Sequence, residues 1–309
     1  MNALIKAKGG TFSLNKSEPI HRWYPYVEGY SSCLIAEELK KFLVLKPNIE
    51  TIYDPFCGTG TTSLVASTYG IESFYSESNP FMQTVIETKV NVVRMLDVNI
   101  AIPKLLEYRA LIRTIKIESF SSWNGFEKFF GESQLNELLT IKKLISQEDD
   151  VLVKCILTLA LSAIVVKVSK MTRRGDLRYA TEKEYREESV LDCFIDKLDE
   201  MICDIQYHKA MVECGTTKVS DDARKNDYVN AFDCVITSPP YLNGTNYIRN
   251  TKLELKLNDF ILSEKDLPRF HSKGIVAGIT TDRKISEDEV NELSHWCLCH
   301  ANLVDRHPF

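Results

Sequence analysis

Apolar residues recur at helical spacing over residues 31–44, SSCLIAEELKKFLV, where Leu34, Ile35, Leu39, Phe42 and Leu43 share a face and Ser31 or Ser32 suits the N-cap. Pro47-Asn48 ends that helix. The period then changes over residues 49–81, IETIYDPFCGTGTTSLVASTYGIESFYSESNPF. This segment predicts a strand at about 49–54, a glycine loop, a helix at about 61–69 closed by Gly70, a strand at about 71–77 and a helix opening at Asn79-Pro80. Together they make a βαβ unit, which implies a parallel sheet with a right-handed crossover. From about 97 to 215 the character turns helical. Pro103 is the one proline there, Leu135, Leu138, Leu139 and Ile145 fall on one face, and Leu191, Phe194, Ile195, Leu198, Ile202 and Ile205 line a second long helix. Strand character returns at TTKVS (216–220) and FDCVIT (232–237), with a loop between them. Of the last 60 or so residues, LPRFHSKGIVAGITTDRKISEDEVNEL reads as polar, loop-like and short helical parts, and the tail SHWCLCHANLVDRHPF carries no clear period.

Composition narrows the class. Hydrophobic residues make up 44% and charged residues 26% of 309, enough to build a core and too ordinary for a fibre or a disordered tail. The longest apolar run, CILTLALSAIVV at 155–166, is flanked by Lys154 and Lys167 and is too short to span a bilayer. The N-terminus reads as neither signal peptide nor anchor. Nine irregularly spaced cysteines imply reduced thiols in a cytoplasm and not a disulfide frame. A net charge of −5 excludes a basic coat over the whole chain but leaves room for a local basic patch.

Three places carry candidate chemistry. The first is DPFCGTG, comprising Asp54, Pro55, Phe56, Cys57, Gly58, Thr59 and Gly60. It follows an apolar strand and opens a helix, so its glycines allow a tight turn and close backbone approach to a ligand. It lacks a third glycine in the dinucleotide frame and the Lys-Ser/Thr of a P-loop, which disfavours a pyrophosphate or triphosphate; an ordinary strand-to-helix turn is the alternative. The second is Glu77 at the end of the next strand, placed to accept hydrogen bonds from ribose hydroxyls or else a solvated strand end. The third is TSPPY at 237–241, where Pro239 and Pro240 stiffen the backbone and hold Ser238 and Tyr241 at a strand's carboxyl end. That edge offers acceptors and an aromatic face to a planar base bearing an amino group. A proline-stiffened turn is the alternative.

DPFCGTG followed by TSPPY resembles the S-adenosylmethionine-dependent DNA amino-methyltransferases, which methylate N4 of cytosine or N6 of adenine. HRWYPYVEGYSS (21–32) is similar to the segment preceding the cofactor loop in that family, and SDDAR (220–224) to its acidic strand end. The resemblance covers about 21–96 and 216–285. It implies an α/β fold, a Rossmann-like methyltransferase sheet, with the catalytic domain split into 1–96 and 216–309 around a helical insertion at 97–215. It implies S-adenosylmethionine as cofactor, held by residues 54–60, Glu77, Asn79, Asp222 and Ala223. It further implies catalysis at Ser238, Pro239, Pro240 and Tyr241, with Ser at the head of SPPY pointing to N4 of cytosine before N6 of adenine. An RNA amino-methyltransferase is a lesser alternative.

The chemistry agrees with the residues. An exocyclic amine is a poor nucleophile because its lone pair is delocalised, and acceptors on its two N–H bonds aim that pair and stabilise the developing charge. The target is hidden in duplex DNA, so the base flips out, with Tyr241 stacking on it. The chain has no Pro-Cys dipeptide, which argues against a C5 enzyme with a cysteine nucleophile; Cys57 reads as a packing residue.

For DNA contact the candidate is KVSKMTRRGDLRYA (167–180), read as an exposed basic loop with Arg173, Arg174 and Arg178 offered to phosphates or base edges. Its alternative is a solvated helix end paired with Glu182 or Glu184. Asn243, Asn246, Tyr247 and Arg249 are polar enough to line a substrate mouth. His295, Cys297, Cys299 and His300 fit no common zinc spacing, so no metal is expected. After Tyr241 only 68 residues remain, where three more strands need about 80–100. The expectation is an incomplete catalytic sheet, from a truncated or frameshifted chain or one that a second polypeptide completes. Alone, it should be a poor enzyme or a non-catalytic remnant. A restriction endonuclease is the functional partner that such a resemblance implies.

Overall fold

The computed structural model describes residues 10–26, 29–225, 227–240 and 247–271, all within one compact unit. A second unit, 241–245 with 275–309, lies outside the described residues, and with it Tyr241, Asn243, the His295–His300 cluster and most of the segment expected to leave the sheet unfinished.

The first helix, α1 (Ser32–Leu45), starts where the Ser31 hydroxyl accepts the Leu34 N–H at 3.2 Å. Then come β1 (Thr51–Asp54), α2 (Thr61–Thr68), β2 (Glu72–Ser76) and α3 (Pro80–Glu87). Gly70 takes φ +69 after α2, the left-handed exit that its position predicts. Asn79 caps α3 by accepting the Phe81 N–H at 3.0 Å, with Pro80 in the first turn, where a missing N–H costs nothing. Helix α3 runs on through a π-helical turn, Thr88–Val92, and a last turn, Val93–Met95.

Helices α4 (Val98–Thr114), α5 (Glu132–Ser146), α6 (Val151–Ile164) and α7 (Val190–His208) fill the stretch read as helical. One part of it differs. The basic segment expected as a loop between helices is an antiparallel hairpin, β3 (Met171–Arg174) and β4 (Asp176–Tyr179), turning at Gly175 with φ +81. Its period of two was masked because the inward position between Met171 and the turn is the charged Arg173, which pairs across the hairpin with Leu177.

β5 (Thr216–Ser220) and β6 (Cys234–Val235) return the chain to the sheet, and α8 (Lys252–Leu257) follows. The strand order is β5-β2-β1-β6, with every pair parallel. Numbered by their succession in this sheet, the strands read 3-2-1-4, the first four of a Rossmann-like sheet, and the order reverses between β1 and β6. The Rossmann-like α/β fold expected from the sequence is the fold observed.

Ile35, Leu39, Val65 and Ala66 of α1 and α2 pack with Ile52, Ile71 and Cys234 of the sheet region. A larger apolar cluster joins Trp23, Tyr24, Phe81 and Val85 to Leu138, Leu157, Phe194 and Leu198 and on to Leu253 and Leu255. The helices of 98–208 therefore share their core with the elements that flank the glycine loop. At roughly 1.5–3 kcal/mol for each large side chain buried, this common core keeps the segments around the site in register. A polar anchor adds to it. The buried Asp204 carboxylate on α7 accepts the Ile20 N–H (2.8 Å), the Trp23 indole N–H (2.9 Å) and the Arg22 guanidinium (2.5 and 3.1 Å). These bonds hold Ile20 at φ +64, a region that a β-branched residue avoids. Among the described residues no helix is long and apolar enough to cross a membrane, and no group of three or more His, Cys, Asp or Glu is placed to hold a metal.

Candidate functional site

The order reverses between β1 and β6, and it is at the carboxyl ends of the strands at such a switch point that open α/β sheets bind ligands. β1 ends at Asp54 and delivers the DPFCGTG loop; β6 leads into TSPPY. One side chain joins the two loops. Buried Asp54 accepts the Thr237 hydroxyl at 2.6 Å and the Phe56 N–H at 3.1 Å on Oδ1, and the Tyr30 hydroxyl at 2.9 Å on Oδ2. Tyr30 also bonds the Thr62 hydroxyl in the first turn of α2. Burial pushes the Asp54 carboxyl above its ordinary range, and the donors around it work the other way. Asp54 thus sets the spacing between the loop and Ser238, the residue after Thr237. Ser238 and Pro240 are half-buried and Pro239 is exposed. Tyr241 lies outside the described residues.

In the loop, Gly58 has φ +55 and Gly60 φ +78. A Cβ on Gly58 would sit 3.2 Å from the Tyr26 ring, so the backbone is pressed against an aromatic face that only glycine permits. The Gly58 N–H donates to Glu77 Oε2 at 3.0 Å, and the Asn79 N–H to Glu77 Oε1 at 2.8 Å. Glu77 thereby ties the end of β2 to the loop, with its side chain half-buried. Burial pushes its carboxyl up to about 7, the Asp54 charge adds to the rise, and the Asn79 and Gly58 N–H groups oppose it. Pro55 and Phe56 are half-buried, and Thr59 is buried. Cys57 is buried, its sulfur 3.5 Å from the Ser63 hydroxyl, and burial pushes its thiol well up, which fits packing and not nucleophilic attack.

Other expected residues fall differently. Both ends of the Asn79 amide are used by the fold, since Nδ2 donates to the Thr251 hydroxyl at 2.8 Å. Buried Asp222 stands after β5 as expected, but its carboxylate is held by the Arg224 guanidinium at 2.7 and 2.8 Å, which depresses its pKa. Ala223, half-buried, opens the short turn that carries Arg224.

The hairpin corrects the reading of the basic segment. Arg173 does not face solvent: its side chain is 12% exposed and donates to Glu254 Oε1 (2.7 Å), the Asn250 carbonyl (2.7 Å) and the Tyr24 hydroxyl (3.3 Å). It is withdrawn from phosphate because a buried carboxylate claims it. Arg174 is 71% exposed and lies 3.4 Å from Glu184, and Arg178 makes two bonds to the same carboxylate at 2.9 and 3.0 Å. The charge available at the hairpin tip is thus smaller than the composition promised.

The geometry also brings in Lys89 from the π-helical turn, which no local signal marked. Its ammonium donates to the Thr59 carbonyl at 3.3 Å and the His21 carbonyl at 3.1 Å. Burial lowers its pKa to about 7. Burial and the Lys89 charge together lower that of His21 to about 3, and His21 Nδ1 is buried without a hydrogen-bond partner.

Comparison with known proteins finds similarity to type II methyltransferases. The chain is 29% identical over 285 residues to the type II methyltransferase M.BsoBI of Geobacillus stearothermophilus, covering 79% of this chain and 54% of that one. It is 26% identical over 278 residues to the type II methyltransferase M.AvaI of Nostoc sp., covering 80% and 55%. It is 27% identical over 258 residues to the type II methyltransferase M.MvaI of Kocuria varians, covering 75% and 55%. The chain spans about half the length of these curated relatives. No family model matches it, and no solved structure does.

Proposed function

We propose that this homologue of the type II methyltransferases is an amino-methyltransferase of DNA, acting on the exocyclic nitrogen of a flipped base, N4 of cytosine ahead of N6 of adenine. The observation that carries the reading is the Asp54–Thr237 hydrogen bond at the switch point, which couples the glycine loop to the residue before Ser238. A cofactor loop and a base-binding loop have to be held at a fixed spacing for an in-line transfer, where about 1 Å of misplacement costs roughly a hundredfold in rate.

The residues present fit S-adenosylmethionine. Gly58 and Gly60, both left-handed and packed against Tyr26 and Ile86, give the loop the tight turn that close backbone approach to a ligand needs, and the half-buried Glu77 carboxylate keeps lone pairs for ribose hydroxyls beyond the Gly58 and Asn79 N–H donors. Asp222 reaches an adenine amino group only by sharing its carboxylate with Arg224. When bound, S-adenosylmethionine supplies an activated methyl group. The chain's own part is positional: the Ser238 oxygen and the Pro239 carbonyl accept the two N–H bonds of the base amine, so its lone pair faces the glycine loop. Arg174 and Arg178 offer the hairpin tip to phosphate, and Tyr241 the stacking surface.

Two measurements address this reading. The first is mass spectrometry of nucleosides from DNA incubated with the chain and methyl-labelled S-adenosylmethionine. It is expected to find labelled N4-methylcytosine as the product, at low yield from the chain alone; 5-methylcytosine would refute the chemistry. The second is the pH dependence of cofactor affinity. Burial pushes the Glu77 carboxyl up to about 7, above its ordinary 4.5. Affinity is expected to be constant above pH 8 and to fall below pH 7, as the carboxylate takes up a proton and loses acceptor strength. Between 4.5 and 7 the folded state binds this proton more readily than the unfolded one, so this group's contribution to stability falls as pH rises through that window. Glu77→Gln should flatten the affinity profile in calorimetric titration; an unchanged profile would remove Glu77 from the site.

A further inference from the structure

Lys89 is fully buried, and among the described residues no carboxylate pairs with it. A buried lysine of that kind is costly: several kcal/mol in general unless a partner compensates. Among the described residues its hydrogen bonds are to two main-chain carbonyls, one in the glycine loop and one in the segment that precedes α1. Thr59 lies between the two left-handed glycines of the loop, and His21 lies directly after the strained Ile20 turn that Asp204 holds against α7.

The π-helical turn makes this reach possible. Lys89 points to the glycine loop, while Asn91, two residues on and on the opposite side, forms a paired bond with β5, donating to the Thr216 carbonyl at 2.8 Å and accepting its N–H at 2.9 Å. A turn widened by one residue, rare in helices and frequent at functional sites, thus fastens the edge of the sheet on one side and the loop on the other.

We infer that Lys89 is a positioning residue for the cofactor loop: its ammonium clamps the Thr59 carbonyl to the His21 carbonyl and fixes the loop in the shape that receives S-adenosylmethionine. The inference rests on the methyltransferase reading and adds to it a residue with no part in the motifs. Burial works against the Lys89 charge and lowers its pKa to about 7, so the two carbonyl bonds are what hold the group in place. Such a clamp pre-organises the loop, so that ordering it is not charged against binding.

The test uses Lys89→Met, which fills the same volume and cannot donate, and Lys89→Gln, which keeps one amide donor. Each is titrated calorimetrically with S-adenosylmethionine, and its thermal melting is recorded. Removing a buried unpaired charge should leave melting unchanged or higher. Cofactor affinity of Lys89→Met should nevertheless fall roughly tenfold to a hundredfold, the worth of a charge-assisted hydrogen bond, and Lys89→Gln should lie between it and the parent. A purely structural lysine would instead lose melting temperature and affinity together, and that result overturns the clamp. So does parent-like affinity in Lys89→Met. If Lys89→Met does not fold, Lys89→Gln decides by the same two readings. A parent chain that binds no S-adenosylmethionine defeats the methyltransferase reading and the clamp with it, whereas normal binding by parent and variants alike defeats the clamp alone.

Discussion

Gly58→Val is expected to lower affinity for S-adenosylmethionine by a hundredfold or more while the chain still folds. Three effects converge on this residue. Its φ of +55 is left-handed, which costs an L-residue roughly 1–2 kcal/mol, and a β-branched one more. Its Cβ would meet the Tyr26 ring at 3.2 Å, closer than side chains normally approach, so the loop or the ring has to move. Movement of the loop also breaks the 3.0 Å bond from the Gly58 N–H to Glu77, a contact to a charged group worth about 1.5–3 kcal/mol. Together these reach the roughly 2.8 kcal/mol that corresponds to a hundredfold change. Calorimetric titration of parent and variant checks it, with thermal melting as the control; affinity within a few-fold of the parent would show that the loop does not receive the cofactor.

Arg173→Ala is expected to destabilise the fold by about 3–5 kcal/mol, the general cost of leaving one member of a buried ion pair alone. Glu254 is 1% exposed, and its Oε2 already lacks a hydrogen-bond partner. Without the guanidinium, Oε1 keeps only the Tyr24 hydroxyl at 2.8 Å. The Asn250 carbonyl loses its donor as well. Replacing both partners, Arg173→Met with Glu254→Leu, should recover most of the loss, because apolar groups of similar volume leave no buried charge. Urea unfolding of the three proteins measures this. A single-variant loss below about 1 kcal/mol would mean that Arg173 is a surface residue after all, open to phosphate as its sequence context suggested.

The two arginine readings show where sequence was informative. DPFCGTG, Glu77 and the start of TSPPY were legible because each is a local pattern at the end of an apolar strand, and the parallel sheet put those ends side by side. The βαβ unit was legible for the same reason: glycine, asparagine and proline punctuate it at Gly58, Gly70 and Asn79-Pro80. Arg173 was misread because its partner, Glu254, lies 81 residues away, and nothing near position 173 distinguishes an inward arginine from an outward one. The hairpin was hidden by the same residue, which broke the alternation of Met171 and Leu177. Lys89 was invisible since a lysine in an amphipathic helix reads as solvent-facing, and a π-helical turn has no sequence mark. Asp54 was legible as part of a motif, but its bond to Thr237, 183 residues on, needed the strand order.

S-adenosylmethionine is proposed to sit at the carboxyl ends of β1, β2 and β5, against the loop that Glu77 and Lys89 hold. Ultraviolet cross-linking of labelled S-adenosylmethionine to the chain, followed by peptide mapping, tests it most directly. The account predicts label on peptides carrying residues 54–60, 77 or 222, displaced by excess unlabelled cofactor and absent from Gly58→Val. Displaceable label confined to the helices of 98–164, or no label at all, would contradict it.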